Sequence, residues 1–233
     1  MSSSSSFSFF FRPLTETMAV IAIVSITASV TTNDTVQKLY KDLEICNIPA
    51  RFVVGTKVQD PSTIQVTSEW TTAQNTGDVK SSPAFASFTD IIHSFSDPST
   101  PLVVTLATLK YSPLSRGAAP FVEYVKTEFL ATRATPAYQT QIESDFLRFE
   151  SLYRKRGDQK SMGELGLSYG WSQEHGGEKN DELKSFVVMR GWESMADFER
   201  AVQTEVFKEA IPILIGWGAP FEVVSCRRIS GHE

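Results

Sequence analysis

The 233-residue chain has room for one large domain or for two of about 100 residues each. A hydrophobic fraction of 41%, with 16 Phe and 4 Trp, supplies a real core and excludes disorder along the whole length. The formal charge of −5, with Lys and Arg scattered, leaves no basic patch to track phosphates, which argues against nucleic acid as a partner.

Residues 1–17, MSSSSSFSFFFRPLTET, are low in complexity and are expected to be a disordered N-terminal tail. Their Ser-rich, acid-poor character and Arg12 are faintly those of an organelle transit peptide, but Met18 stands directly before the first strand as an alternative start. The expected location is cytoplasmic. No run of about twenty apolar residues occurs, so neither a transmembrane helix nor a membrane partner is expected.

Ala19 to Ala28 is rich in β-branched residues and apolar on both faces, as in a central strand. Thr32-Asn33-Asp34 caps a helix striped by Val36, Leu39, Tyr40 and Leu43. Arg51–Val58 and Thr63–Trp70 are strands joined by a turn at Gln59-Asp60-Pro61-Ser62. Thr71 to Lys80 reads as loosely structured, Ser82 caps a helix through Phe95, and Pro101–Lys110 is a fourth strand. The order is βαββαβ, the ferredoxin-like unit.

Residues 111–119 form a linker rich in Pro, Ser and Gly. Phe121–Leu130 is a strand, and Pro136 opens a longer helix to Arg156. Met162–Trp171 and Leu183–Arg190 form a hairpin around a loop over Ser172–Glu182. Ser194, with Asp197 in a partial capping box, starts one helix carried to Ile211 and closed by Pro212 and Gly216. Phe221–Val224 is the last strand.

Strand, Trp, helix, strand therefore occurs twice. Trp70 and Phe85 are separated as Trp192 and Phe207 are, and Ile91-Ile92 and Ile213-Leu214 match beyond the Phe. The expected fold class is α+β: two tandem ferredoxin-like (βαββαβ) repeats over 18–110 and 120–228 forming an intramolecular pseudo-dimeric α/β barrel. Each four-stranded sheet would otherwise expose an apolar face, at about 25 cal/mol per Å². Facing sheets with four helices outside would remove that cost within a monomer, and further oligomerisation stays open.

Cys46 and Cys226 make no disulfide framework and read as two buried reduced thiols. HxH, HExxH, CxxC, GxGxxG and GxxxxGK[ST] are all absent, so no metal and no cofactor is expected.

The strand ending in Trp, followed by Glu-Ser or Thr-Thr, a helix, then Ser-Pro-Ala-Phe or Glu-Val-Phe-Lys-Glu-Ala and a last strand, resembles the dimeric α/β-barrel superfamily. The likeness is to its antibiotic-biosynthesis-monooxygenase (ABM) branch, over about residues 18–228, and to fungal tandem-repeat members. It implies a ligand pocket between sheet and helices, and oxygenation of aromatic polyketides without metal or flavin, or heme degradation. Heme-degrading members place a Trp before the helix Phe and a His after it. The corresponding positions here are Val79 and Thr89 in the first copy and Ala201 and Ile211 in the second, which disfavours that activity.

Candidate site residues concentrate in the second copy. Tyr169, Glu174 and His175 are the candidate catalytic groups, because a carboxylate beside an imidazole can orient it and raise its pKa. The competing reading of His175 is a solvated polar loop. Trp171, Trp192, Trp217, Tyr124 and Arg190 are candidates for holding a flat apolar ligand by stacking and a few hydrogen bonds. Trp70 and Trp192, which repeat, read first as core anchors at strand ends. His93 is a candidate in the first copy that also fits a helix-end surface residue, and His232 lies at the terminus. The resemblance, with the metal and nucleotide motifs missing, implies a cofactor-independent oxygenase, cyclase or isomerase of secondary metabolism acting on an aromatic or polycyclic substrate. The alternatives are a non-catalytic hydrophobic-ligand-binding or stress-response protein, and a scaffold. An enclosed pocket with two or more convergent polar groups favours the enzyme, and a wholly apolar one favours binding.

Overall fold

The computed structural model describes residues 18–28, 31–46, 48, 50–70, 75–114, 119–155, 163–175 and 182–231, with the side chains of 155, 173–175, 182, 230 and 231 excepted. The expected tail, most of the linker's centre, His232, and the side chains of Glu174 and His175 lie outside the described residues.

In chain order the elements are β1 (Met18–Thr27), α1 (Asn33–Ile45), β2 (Arg51–Lys57), β3 (Thr63–Trp70), α2 (Thr76–Lys80), α3 (Pro83–His93), β4 (Val103–Lys110), β5 (Phe121–Leu130), α4 (Pro136–Lys155), β6 (Glu164–His175), β7 (Glu182–Trp192), α5 (Met195–Gln203), α6 (Glu205–Ala210), α7 (Pro212–Ile215) and β8 (Phe221–Gly231). The strands close into an antiparallel eight-stranded barrel in the order β1-β3-β2-β8-β5-β7-β6-β4, with β4 returning to β1.

Within that ring β4-β1-β3-β2 and β8-β5-β7-β6 run in the same order, and their registers match. Val20 pairs with Trp70 and Ala22 with Ser68, while Phe121 pairs with Trp192 and Glu123 with Arg190. The two seams, β2 with β8 and β4 with β6, each contain a glycine where the backbones approach closely. A Cβ on Gly55 would lie 2.4 Å from the Arg227 carbonyl oxygen, and one on Gly170 would lie 2.0 Å from that of Thr108. Only glycine fits such an approach.

Strand alternation sends odd and even residues to opposite faces. On β5, Tyr124 turns into the lumen with Ile21, Leu109, Val187 and Met189, and its hydroxyl bonds Thr67 Oγ1 across the barrel at 2.6 Å. Phe129, two alternations beyond Val125, packs outward under α4 with Phe146, Phe186 and Trp217. A separate layer under α1 and α3 is built from Leu39, Leu43, Trp70, Phe85, Phe88 and Ile92. The core thus has two helix–sheet layers and a shared lumen.

Several local expectations change. The stretch expected to be loose contains α2, because Asn75 and Asp78 form a reciprocal capping box. The single helix expected from Ser194 to Ile211 is broken, because Thr204 adopts an extended conformation and caps α6 through Oγ1 to the Phe207 N–H at 3.2 Å. Pro212 then opens α7. The helical layer outside the barrel is consequently divided into more pieces than the four expected. The β6–β7 ladder extends to His175 and Glu182, well into the expected loop, since backbone pairing continues past the point where apolar alternation stops. Cys226 is buried as expected, but Cys46, at the end of α1, is exposed. Among the described residues no helix is long and apolar enough to cross a membrane.

Candidate functional site

The outer face of the second half of the barrel does not pack solidly against its helices. A cavity of about 260 Å³ remains between β5, β7 and β8 below and α4 to α7 above. It is just under the usual range of ligand pockets, about 300–1,000 Å³. Its floor is the outward set of each strand: Glu123, Val125 and Thr127 on β5, Phe186, Val188, Arg190 and Trp192 on β7, and Phe221 and Val223 on β8. Phe146, Phe149 and Tyr153 descend from one face of α4, and Phe207, Leu214 and Trp217 close the top. Ile215 and Val223, both solvent-exposed, mark the rim.

The walls are apolar and aromatic. Phe146 meets Phe186 edge-on at 5.3 Å, Phe149 lies parallel to Tyr153 at 6.0 Å, and Trp217 stands against Phe186 at 5.7 Å and Phe221 at 5.9 Å. Polar groups gather at two places. At the Thr127 end, the Trp217 indole N–H is buried with no hydrogen-bond partner among the described residues. At the other end stand Glu123, Arg190, Trp192 and Tyr153, whose hydroxyl likewise has no partner among them. A buried donor left unpaired costs about 1–3 kcal/mol, so both carry an unmet demand for an acceptor.

The charged end is a network. The Arg190 guanidinium donates through Nη1 to Glu164 Oε2 at 2.8 Å and through Nη2 to Glu150 Oε1. Its Nε is 4.0 Å from Glu123 Oε2, and that oxygen accepts the Trp192 indole N–H at 3.2 Å. Arg154 backs the cluster from the surface, 3.2 Å from both Glu150 and Glu164. Burial pushes the Glu123 carboxyl above the ordinary glutamate range; Arg190 and the Trp192 bond oppose the shift, and Glu150 and Glu164 add to it. For Arg190 burial works against the charge, but Glu150, Glu164 and Glu123 outweigh it and raise the pKa. Burial likewise raises the Tyr153 phenol to about 12, against the pull of Arg190. Tyr153 is therefore a hydrogen-bond donor, and Glu123 is the group able to exchange a proton.

Arg190, Trp192 and Trp217, among the expected binding residues, line the cavity. The remaining candidates do not converge with them. Tyr124 points into the lumen, one alternation away from Glu123. Tyr169 is buried on the outer face of β6, packed 4.9 Å from Phe146 behind the cavity wall, with Lys110 over its ring at 5.5 Å. Trp171 donates its indole N–H to Glu143 Oε1 at 3.0 Å and is likewise behind the wall. His93 is exposed at the end of α3 in the first half, with Nδ1 2.9 Å from Ser96 Oγ. The backbones of Glu174 and His175 pair with Leu183 and Glu182, beyond Phe186, the outermost cavity residue of β7.

Glu123, Glu150, Glu164 and Tyr153 were not among the candidates. The signal for Glu123 was present as a carboxylate on a strand face otherwise made of Phe121, Val125 and Thr127. Glu150 similarly interrupts the apolar stripe Phe146, Phe149, Tyr153. An acid inside an apolar face has to be paired or functional.

No protein-family model and no curated protein sequence matches the chain. Solved structures do resemble it. A proposed monooxygenase from Fusobacterium nucleatum superposes with a TM-score of 0.57 at 9% identity, over 93% of this chain and 94% of that one. A proposed monooxygenase from Lactobacillus acidophilus gives 0.52 at 11% identity, over 92% and 96%. An anthrone oxidase-like protein gives 0.52 at 11% identity, over 92% of both chains. The fold is the dimeric α/β barrel. In this dimeric α/β barrel both halves lie in one chain, and the described cavity occupies the helix-covered face of the second.

Proposed function

We propose that the cavity is the active site of an oxygenase-type enzyme that acts on a small aromatic or polycyclic hydrophobic molecule, without a bound cofactor. The observation that carries this reading is that Glu123 and Tyr153 at one end and Trp217 at the other border an otherwise apolar, aromatic-walled cavity, the Tyr153 hydroxyl and Trp217 N–H having no hydrogen-bond partner among the described residues. A wholly apolar cavity would favour sequestration. Solved structures of this fold with names of oxygenase type are consistent with the class.

The chemistry requires a substrate carbon acidified by neighbouring rings or a carbonyl. Glu123, made more basic by burial, takes a proton from it. Tyr153 and Trp217 donate to its oxygens, while the aromatic walls hold the ring system flat and exclude water. The electron-rich carbanion reacts with dioxygen, the co-substrate. The carbon forms a C–O bond, the O–O bond breaks, and loss of water leaves a carbonyl, so that a CH2 group and O2 become C=O and H2O. Deprotonation without dioxygen would make the same site an isomerase or cyclase.

The wider reading follows. Residues 18–110 and 120–228, joined by 111–119, are two ferredoxin-like copies fused as a monomeric pseudo-dimer of the fungal tandem ABM-like type. The protein acts in secondary metabolism from a cytoplasmic location.

Anthrone, a tricyclic molecule with one such CH2 group, is the first probe. Oxygen uptake on mixing should match anthrone consumed one for one and be lost in Glu123→Gln. Tyr153→Phe should retain turnover with binding weakened about tenfold, the worth of one hydrogen bond of about 1.4 kcal/mol. Uptake at the buffer rate, with anthrone bound, would replace the enzyme reading with hydrophobic-ligand binding.

A further inference from the structure

The guanidinium of Arg190 is shared unequally. Its planar fork offers two terminal nitrogens and Nε, and the terminal nitrogens are occupied by Glu164 at 2.8 Å and by Glu150. Only Nε faces Glu123, at 4.0 Å, beyond hydrogen-bond reach. Glu150 and Glu164 are held in place by Arg154, whose side chain is 44% exposed and which contacts each at 3.2 Å. Three carboxylates thus meet two guanidinium groups, and among the described residues Glu123 is the one of the three without a direct ionic hydrogen bond, although it borders the cavity.

We infer that Glu150 and Glu164 are positioning residues for Glu123: by occupying both terminal nitrogens of Arg190 they withhold the guanidinium from it, leaving that carboxyl free to exchange a proton with a molecule in the cavity. The exchange rests on the reading of the cavity as an active site, whereas the withholding is a property of the ligand-free protein and is tested there.

Among the described residues, Arg190 is the cation that acts on Glu123. From β7 Glu123 faces Arg190, from β6 Glu164, and from α4 Glu150 and Tyr153, while Arg154 pairs with Glu150 and Glu164. On β8 its ladder partner is Ser225, and Arg227 nearby lies over the Phe121 ring at 5.3 Å. α5 brings Ala201 and Val202 to the cavity, while its Asp197 and Arg200 pair with each other at 3.1 Å. The upward shift of Glu123 fits this allocation, since burial dominates and Arg190 only partly offsets it.

The experiment is a carboxyl ¹³C NMR titration of glutamate-labelled, ligand-free protein, with Glu123→Gln identifying the signal. In the native chain Glu123 should titrate above the ordinary glutamate range. Glu164→Gln should lower it by about 1 unit or more, because the released guanidinium can turn to Glu123 and one like charge is gone. Glu164→Asp decides between those causes: it keeps the charge but shortens the reach, so it should also lower the titration. Arg154→Gln, a replacement at a half-exposed position that keeps the test in a folded protein, should raise it. A native-like titration in Glu164→Asp, or a downward shift in Arg154→Gln, overturns the inference. Loss of anthrone turnover alone would touch the proposed reaction and leave the positioning intact.

Discussion

Replacing Arg190 with Met tests whether the network is as tightly coupled as its geometry indicates. The Arg190 side chain is 8% exposed, and those of Glu150, Glu164 and Glu123 are 5%, 4% and 15% exposed. Removing the central cation leaves three largely desolvated carboxylates to Arg154, which already serves two of them from the surface. Breaking one partner out of a buried ion pair costs about 3–5 kcal/mol. At about 2–4 °C per kcal/mol for a chain of this size, the melting temperature should fall by about 6–20 °C. Urea titration and calorimetry read both quantities. Unpaired carboxylates are tolerated once protonated, so the variant should recover stability as pH falls toward the ordinary glutamate pKa of about 4.3. Adding Glu150→Leu and Glu164→Leu should restore most of the loss, since apolar packing commonly replaces a buried ion network without penalty. The control is Lys208→Met, which removes an exposed 2.7 Å pair with Glu205 and should cost less than about 0.5 kcal/mol. A loss in Arg190→Met no larger than that control, or one independent of pH, would refute the account.

Other outcomes follow from packing. Ala201→Leu adds three methylenes to a residue lining the cavity; filling open space should leave stability unchanged or raise it by up to about 2 kcal/mol while weakening binding of a probe such as anthrone at least tenfold, read by fluorescence titration. Gly170→Ala drives a Cβ to 2.0 Å from the Thr108 carbonyl oxygen and should part the β4–β6 seam at a cost of about 3 kcal/mol, whereas Gly166→Ala, with nothing within 4 Å, should be near neutral by denaturant titration. With a thiol reagent at pH 8, Cys46 should react at once and Cys226 only on unfolding, because Cys226 is buried and burial pushes its thiol up to about 12.

Much of the architecture was legible because each strand and helix carries its own period. The run from Met18 to Thr27, the capped helix after Thr32 and the buried tryptophans at the ends of β3 and β7 could all be placed without coordinates. Helix breaks were harder, since Thr204 acts through its backbone conformation and not through apolar spacing. Gly55 and Gly170 were silent because a glycine inside a strand acquires meaning only when the opposing backbone is known. At the site, Arg190, Trp192 and Trp217 stood out as large side chains, but Glu123, Glu150 and Glu164 did not. Adjacent residues in sequence, Glu174 and His175, looked like a pair, whereas the carboxylates that meet at Arg190 come from β5, α4 and β6.

Comparison of the halves explains why the described cavity lies in the second. Register from Val20–Trp70 and Phe121–Trp192 sets Ala22 against Glu123 and Ser68 against Arg190. In the first half Ser68 simply accepts the Trp70 indole N–H at 3.0 Å, and Phe85 and Phe88 pack on that indole at 5.5 and 5.8 Å. At the same offsets from its Trp, the second half carries Ala201 for Val79 and Ala210 for Phe88. Each smaller residue withdraws volume from the helix–sheet layer, and the charged pair on the floor demands partners that a plain core would not supply. Glu164 and Glu150 meet that demand for Arg190, and Glu123 is left bordering the space. Stability alone would favour filling the layer as Phe88 does, so an open layer over a buried acid is the feature that most needs a ligand to account for it.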